Sequence, residues 1–168
     1  MNKILICTMA LLAIFIAPAS MAFESTYYVV RHAEKMAEGG PQSDDPMLTA
    51  KGLRRAAHIA GMLKDANIKA VYSTDTKRTL MTATVTAADK GIAVELFSTD
   101  DLPSFADMLK SKEGTFLIVA HSSSTPDLAA LLSGVQIPKL DEEDFEKLFK
   151  VVIVGGKATL EVMTTTFE

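Results

Sequence analysis

The fold expected from this sequence is decided by residues 27–35, which read Tyr27-Tyr28-Val29-Val30-Arg31-His32-Ala33-Glu34-Lys35. An aromatic and β-branched run, typical of a buried strand, ends at a polar group that begins with an arginine and a histidine. Residues 71–79 and 116–124 have the same layout of a buried strand, a polar group and the start of a helix. Ligands of open α/β sheets bind outside the carboxyl ends of the strands, so the three polar groups are predicted to meet in one crevice.

The side chains predicted to line this crevice would attract an anion. They include two of the three histidines and two of the four arginines of the chain. The full set is Arg31, His32, Lys35, Arg78 and His121. The planar fork of arginine suits phosphate, and helices that start after these strands would add backbone N–H groups. We therefore expect a phosphate-sized anion site held by locally placed cations.

Strand-like and helix-like segments alternate along the rest of the chain. This alternation predicts an α/β fold with a mostly parallel, mixed sheet that is flanked by helices on both faces. Strands are predicted over residues 26–30, 70–72, 93–97 and 115–120, and helices over residues 49–67, 76–90, 105–110 and 126–134. Near the C-terminus, Phe145, Leu148 and Phe149 have the spacing of one helical face. A hairpin of residues 151–154 and 158–163 is predicted around Gly155-Gly156.

Length and charge exclude several classes of protein. The 168 residues, of which 48% are hydrophobic and 23% charged, fit a single compact domain rather than a disordered chain or a fibrous repeat. The formal net charge of -4 provides no general field that would attract nucleic acid or anionic lipid. No nucleic-acid partner is therefore expected.

Residues 1–22 have the pattern of a cleavable secretory signal peptide. Lys3 provides the positive start, an apolar stretch follows, and small residues precede a predicted cleavage site after Ala22. The apolar stretch of about 14 residues is shorter than the roughly 20 that a membrane anchor needs, so no membrane insertion is expected after cleavage. Residues 23–168 would then form the mature domain in a bacterial periplasm. Cleavage also removes Cys7, the one cysteine, which excludes disulfide and thiol chemistry.

Four motifs, taken in chain order, resemble those of the histidine phosphatase superfamily, which is also called phosphoglycerate mutase-like. They are Arg31-His32-Ala33-Glu34-Lys35, Leu48-Thr49-Ala50-Lys51-Gly52, Tyr72-Ser73 with Lys77-Arg78-Thr79-Leu80-Met81-Thr82-Ala83, and Ala120-His121-Ser122. Together they span nearly the whole mature chain. The resemblance implies the phosphoglycerate mutase-like version of the α/β fold.

The resemblance also implies a phosphatase that works through a phosphohistidine. By that likeness His32 is the nucleophile, while Arg31 and Arg78 hold the phosphoryl group and stabilise its charge in the transition state. His121 would donate a further hydrogen bond or positive charge, and two residues are candidates for substrate binding, Lys35 and Ser122. No cofactor and no metal is implied, and the two histidines of the motifs lie 89 positions apart, without the short spacing typical of zinc sites.

Several of these residues also have interpretations without chemistry. Arg78 could pair with Asp75 on a solvated helix face, and His121 could be a hydrogen-bonded core histidine. His58 matches no motif and is expected to have a structural role. The acidic run at residues 141–144 is expected to interact with a helix dipole rather than with a metal.

The residue that protonates the leaving group in many members of the family has no clear counterpart here. Asp101 is the best candidate by position, followed by Glu95 and Asp100. A missing acid would slow alkyl phosphate esters most, and phosphoramidates, acyl phosphates and aryl esters least. Only 42 residues separate Arg78 from His121, so there is no room for a cap insertion and the crevice is expected to be open.

The predicted function is that of an exported phosphatase, a phosphoric monoester hydrolase acting on a phosphorylated small molecule, an envelope saccharide or a phosphoprotein. The alternative from another class is a non-catalytic phosphate- or phospholigand-binding protein of the same fold. A mutase ranks third, because it needs a confined site that keeps water from the intermediate. Turnover of p-nitrophenyl phosphate would distinguish the first two. Ser73 and residues 122–124 are the rival nucleophiles.

The signal-peptide pattern makes a direct prediction about the mature protein. Amino-terminal sequencing of protein isolated from the periplasmic fraction should begin at or near Phe23, because the pattern is cleavable rather than anchoring. Recovery of a soluble cytoplasmic form that keeps Met1 would contradict export.

Overall fold

A computed structural model of the chain describes residues 23–37 and 44–167. The predicted signal peptide, residues 1–22, lies outside the described residues. Among the described residues, no helix is long and apolar enough to cross a membrane. The elements, in chain order, are β1 (Glu24–Arg31), α1 (Ala50–Met62), β2 (Ile68–Ser73), α2 (Lys77–Lys90), β3 (Val94–Leu96), α3 (Leu102–Lys110), β4 (Gly114–Ala120), α4 (Ser124–Ser133), β5 (Lys147–Val154) and β6 (Lys157–Thr164).

The six strands form one mixed sheet with the order β3-β2-β4-β1-β5-β6. The pairs β1 with β4, β4 with β2, and β2 with β3 are parallel, whereas β5 and β6 are antiparallel to their neighbours. The predicted mostly parallel sheet with a hairpin at one edge is thus confirmed. Gly155 and Gly156 both have positive φ values, 55° and 79°, as a two-residue type I′ turn requires.

Helices cover both faces of the sheet, as the alternation of strands and helices predicts. Residues of α1 and α2, among them Ile59 and Ala83, pack with Leu117 and Val119 of β4 on one face. Residues of α3 and α4 pack with alternate β4 residues on the other face. Strand β4 is an uninterrupted apolar run because both of its faces are buried, and each large side chain contributes about 1.5–3 kcal/mol through burial.

The helix predicted around Phe145, Leu148 and Phe149 is wrong. Leu148 and Phe149 lie in β5, and Phe145 lies in the irregular segment that precedes this strand. Leu148 packs on the face covered by α1 and α2, while Phe149 packs on the opposite face. A strand buried on both faces has no polar alternation, so its apolar residues resemble helical spacing by chance. The acidic run at residues 141–144 therefore precedes a strand, so the helix start with which it was expected to interact is not there.

The segment after β1 is fixed against the first turn of α1. The backbone N–H of Thr49 donates to the carbonyl oxygen of Glu34 over 2.9 Å, and the Thr49 hydroxyl accepts from the N–H of Gly52 over 3.0 Å as the N-cap of α1. A Cβ atom at position 52 would lie 2.3 Å from the Glu34 carbonyl oxygen. Glycine at this position therefore permits the close contact between the helix and the loop.

A buried ion pair joins the same segment to α1 and to the C-terminal end of the chain. The Glu34 carboxylate accepts from Nη2 of Arg55 over 2.8 Å and from its Nε over 3.0 Å. Nη1 of Arg55 donates to the carbonyl oxygen of Thr165 over 2.8 Å. Burial by itself raises the pKa of Glu34, but the hydrogen bonds and charge of Arg55, together with Lys51, outweigh burial and lower this pKa.

Replacing Arg55 by methionine should lower the free energy of unfolding by about 3 kcal/mol at pH 7, because it leaves the largely buried Glu34 carboxylate with the exposed Lys51 as its cationic partner. The pKa of Glu34 is lowered in the folded state, so its stabilising contribution is present above its unfolded pKa of about 4.3 and is lost as the pH falls through the folded value. The difference between wild type and variant should therefore shrink in acid. Urea unfolding at several pH values measures it.

The neighbouring variant Arg54→Met provides the control, because Arg54 is exposed. It should change the free energy of unfolding by less than about 0.5 kcal/mol. A loss in Arg54→Met equal to that in Arg55→Met would contradict a specific role for the buried pair.

Candidate active site

The predicted site residues converge at one edge of the sheet. Arg31 ends β1 and His32 follows it, while His121 directly follows β4. Because β1 and β4 are parallel neighbours, their carboxyl ends coincide, and the ring centroids of the two histidines lie 5.7 Å apart. Arg78 is the second residue of α2, which follows the next strand of the sheet, β2.

The imidazole of His32 is buried and has one nitrogen available. Its Nδ1 lies 2.8 Å from the carbonyl oxygen of Ala33. A carbonyl only accepts hydrogen bonds, so Nδ1 carries the proton of the neutral ring, and Nε2 keeps its lone pair.

The surroundings of His32 keep the ring neutral. Burial has the largest effect and lowers the pKa of His32 to about 3. The bond to the Ala33 carbonyl favours the charged form, but the charges of Arg31 and Arg78 and the ring of His121 act in the opposite direction. At neutral pH the residue is therefore an unprotonated nucleophile candidate.

His121 is also neutral at neutral pH. Its pKa is lowered to about 4, first by burial and then by the charges of Arg78 and Arg31. Its Nε2 forms a 2.9 Å hydrogen bond with the hydroxyl of Thr74. Without a bound anion, the ring of His121 is therefore uncharged and is held by its hydrogen bond to Thr74.

Thr74 is a residue of the site that the sequence reasoning did not identify. It follows β2 directly, and its hydroxyl also bonds the hydroxyl of Thr79 over 3.0 Å. Its position in the sequence indicated a role, because Thr74 comes immediately after a strand whose carboxyl end lies at the edge of the sheet that forms the site. At this strand end the sequence indicated the hydroxyl of Ser73, as a rival nucleophile, but not that of Thr74.

Arg31 is enclosed by the acidic run of residues 141–144 and the aromatic residue that follows it. Only 2% of the Arg31 side chain is exposed. Its Nη1 donates to the carbonyl oxygens of Asp141 and Asp144 over 2.8 Å and 3.3 Å, and its Nη2 lies 3.5 Å from a carboxylate oxygen of Glu142. The guanidinium carbon stands 4.1 Å from the ring centroid of Phe145. These contacts fix the direction of the guanidinium.

Arg78 forms an ion pair with Asp45. The alternative considered from the sequence, a pair with Asp75, is not the one that the structure shows. The distance from Nη1 of Arg78 to Oδ1 of Asp45 is 3.6 Å. The same carboxylate accepts from the backbone N–H of Lys77, over 2.9 Å to Oδ1 and 3.2 Å to Oδ2.

Both arginines have a buried donor without a partner. Within the described ranges, neither Nε of Arg31 nor Nε of Arg78 has a hydrogen-bond acceptor. An unsatisfied buried donor costs about 1–3 kcal/mol, and such donors are rare in native structures. An oxyanion held between the two guanidinium groups would satisfy both, so the arrangement suits a phosphoryl group.

Thr82 links α2 to the loop that carries His32. Its hydroxyl accepts from the backbone N–H of Ala33 over 3.0 Å and donates to the carbonyl oxygen of Arg78 over 2.8 Å. Arg78 and Thr82 are four positions apart and so lie on the same helix face. Through Thr82, the first part of α2 thereby fixes the position of Arg78 relative to the loop that carries His32.

The two predicted substrate-binding residues lie in the turns around the site. The backbone of Lys35 pairs with that of Leu48 in an isolated antiparallel bridge, and the residue is half-buried. Ser122 is half-buried in the turn between β4 and α4.

Two of the rival nucleophiles use their hydroxyls in local hydrogen bonds. The Ser73 hydroxyl donates to the carbonyl oxygen of Thr74 over 2.9 Å, and that of Ser124 accepts from the N–H of His121 over 3.1 Å. These bonds do not favour a serine nucleophile. His58, for which a structural role was expected, lies against Phe167 in a tilted arrangement with 5.7 Å between the ring centroids.

The carboxyl groups considered as leaving-group acids are engaged locally. Asp101 is the N-cap of α3, and the hydroxyl and backbone N–H of Ser104 lower its pKa, which makes it a poor proton donor at neutral pH. Asp100 accepts from the Ser98 hydroxyl over 2.8 Å. Glu95 lies on the edge strand β3, where it attracts Lys112. None of these arrangements favours the residue as an acid.

In residues 23–37 and 44–167, no group of three or more His, Cys, Asp or Glu side chains is arranged to hold a metal ion.

The fold is shared with solved structures of phosphoryl-handling proteins. The protein histidine phosphatase SixA, complexed with tungstate, has a TM-score of 0.66 at 16% identity, with 83% of this chain and 97% of that chain covered. Phosphoserine phosphatase of Entamoeba histolytica has a TM-score of 0.60 at 16% identity, with 84% and 98% covered. Phosphoglycerate mutase of Bacillus anthracis has a TM-score of 0.58 at 18% identity, with 85% and 94% covered. At such identities these similarities concern the fold alone.

Sequence comparison points to the same group of proteins. No curated protein matches the chain in sequence. The family model of the histidine phosphatase superfamily (branch 1) matches residues 27–103, a range that contains Arg31, His32 and Arg78. The chain is thus similar to the histidine phosphatase superfamily in sequence over residues 27–103 and in fold over most of its length.

Proposed function

We propose that this protein is an exported phosphatase that hydrolyses a phosphate ester or a related phosphoryl compound through a phosphohistidine on His32. The observation that carries the proposal is a neutral, buried His32 beside two arginines whose buried Nε atoms have no acceptor within residues 23–37 and 44–167. A nucleophile with a free nitrogen and two convergent cationic donors are what phosphoryl transfer requires. The signal-peptide pattern of residues 1–22 supports a periplasmic location, where envelope saccharides and phosphoproteins are available substrates.

In the first half-reaction, Nε2 of His32 attacks the phosphorus atom in line with the leaving group. The P–N bond forms as the bond from phosphorus to the leaving atom breaks, and the leaving group departs with the bonding electron pair. The ring gains positive charge in this step. The Ala33 carbonyl, which accepts the Nδ1–H bond, stabilises that charge and keeps the ring oriented.

The charge that spreads over the equatorial oxygens is stabilised by donors that are already in place. The Nε groups of Arg31 and Arg78 are donors without an acceptor among the described residues. The Nε2–H of His121 donates to Thr74, whose own hydroxyl donates to Thr79, so His121 donates to the phosphoryl group through Nδ1 once the negative charge of that group favours the protonated ring. Such prearranged donors act in a partly buried site, where their interaction with charge is stronger than in water. In the second half-reaction, water attacks phosphorus, the P–N bond breaks, and His32 returns to its neutral form.

The leaving group of the proposed substrate needs little help from an acid. Asp101, Asp100 and Glu95 are all engaged in local interactions, so phosphoramidates, acyl phosphates and aryl esters are favoured over alkyl esters. The similarity in fold to a protein histidine phosphatase is consistent with a phosphoramidate substrate.

The nucleophile can be identified by measuring which residue takes up the phosphoryl group from a labelled substrate. Rapid quench with a radiolabelled phosphoryl donor should give an acid-labile, alkali-stable label, because the P–N bond of phosphohistidine has this stability and phosphoserine does not. The variant His32→Ala should lose both label and turnover, whereas Ser122→Ala should keep the label even if binding weakens. Label that resists acid, or turnover that persists in His32→Ala, would refute the mechanism. Phosphate binding without turnover in the wild type would favour the non-catalytic alternative.

A second test concerns Arg78. Its replacement by alanine should lower kcat/KM about a hundredfold, because a charged donor to the transferring group is lost. It should also move the acid limb of kcat/KM to higher pH. The charge of Arg78 lowers the pKa of His32 and of His121, to about 3 and about 4, so removing it raises both values.

The pH dependence is read as the ratio of variant to wild type for one substrate, so that ionisation of the substrate cancels. The wild type should keep its kcat/KM down to about pH 5, since this parameter reports the pKa values of the free enzyme. Unchanged activity in Arg78→Ala would show that this arginine does not face the phosphoryl group.

A further inference from the structure

Each arginine of the site has a carboxylate partner from elsewhere in the chain. Asp45 lies 3.6 Å from Arg78, and Glu142 lies 3.5 Å from Arg31. Both histidines are neutral at neutral pH, so the positive charge of the site comes from the two guanidinium groups. Asp45 offsets the charge of Arg78, while Glu142 and Asp144 offset that of Arg31, before phosphate enters.

The two carboxylates differ in their surroundings. The Glu142 side chain is 85% exposed, so solvent and salt screen its charge. The Asp45 side chain is 40% exposed, and both of its oxygens accept from the N–H of Lys77, the first residue of α2. Asp45 therefore has the stronger influence on the site.

Asp45 occupies a position suited to an external anion. The N-cap residue of α2, Thr76, makes no side-chain capping bond, and its hydroxyl bonds that of Thr79 instead. The N–H of Lys77, which no capping side chain of Thr76 engages, and the guanidinium of Arg78 thus meet at one anion position, at the positive end of a helix dipole. The carboxylate of a residue 32 positions earlier in the chain fills it.

We propose that Asp45 acts as an intramolecular counter-anion of Arg78 and is a specificity-determining residue that weakens the binding of phosphate dianion. A dianion that approaches Arg78 must displace the carboxylate or lie beside it, and both alternatives raise its free energy. Product phosphate is held less tightly as a result, which favours its release. This inference rests on the proposed function, in which inorganic phosphate is the product.

The test measures the affinity for inorganic phosphate by isothermal titration calorimetry at pH 7.5, without turnover. Asp45→Asn should bind phosphate about tenfold more tightly than the wild type, because the charge is lost while the amide oxygen still accepts from Lys77. Asp45→Ala should tighten binding as well, because it removes the same negative charge. Glu142→Gln should have a smaller effect, and all gains should shrink with added salt.

Asp107→Asn provides the matched control. Asp107 is an exposed residue of α3 that pairs with Lys110, so this variant has the same change in net charge away from the site. It should leave phosphate affinity unchanged. In steady state, Asp45→Asn should lower the inhibition constant of phosphate about tenfold, a change that general loss of structure would not produce.

Two outcomes would overturn the inference. Unchanged or weaker phosphate binding in Asp45→Asn would show that Asp45 holds Arg78 in place for the substrate instead of competing with it. Absence of phosphate binding in the wild type and in every variant would remove the anion site itself. Failure of the proposed function is a separate result, because a protein that binds phosphate without turning over any substrate still reports the effect of Asp45.

Discussion

The parallel ladder between β1 and β4 is the interaction on which the site depends. It aligns Arg31 with Ala120, and the N–H of His32 extends it by one bond of 2.9 Å to the carbonyl oxygen of Ala120. The nucleophile candidate is therefore attached to the central strand of the sheet, next to His121, rather than to a mobile loop. Both strands are covered by helices on each face, so a shift of one residue in register would expose apolar side chains to water. The same packing that stabilises the fold thus sets the distance between the two histidines.

The chemistry of the site follows from burying imidazoles next to guanidinium groups. Burial and like charge both disfavour the imidazolium, and together they keep His32 and His121 neutral far below neutral pH. Two buried cations without counter-charges would be costly. The chain provides the compensation through Asp45, Glu142 and the carbonyl groups around Arg31. Among the described residues, the buried Nε of each arginine has no acceptor, and those donors are what a phosphoryl group would engage.

The C-terminal end of the chain supports the site from behind. Arg55 bonds both Glu34, two residues after His32, and Thr165. The N–H of Thr165 donates to the carbonyl oxygen of Glu146 over 2.7 Å, and the preceding residue, Phe145, packs against Arg31. A continuous set of polar contacts therefore runs from the loop after the nucleophile, through α1 and the C-terminus, to the segment that encloses Arg31.

The local sequence pattern was sufficient to predict the sheet and most of its strands and helices, because each element depends on residues close together in the chain. It also predicted the convergence of Arg31, His32, Arg78 and His121, because the carboxyl ends of parallel strands lie at one edge of a sheet. Tertiary structure alone decided the rest. Strand β5 replaced the helix predicted around Phe149 because pairing with β1 outweighs the local spacing of apolar residues. The pairing of Asp45 with Arg78, of Glu34 with Arg55 and of Thr74 with His121 joins residues 21 to 47 positions apart. The sequence contains these side chains but does not reveal which of them meet, since their proximity is set by how the elements pack.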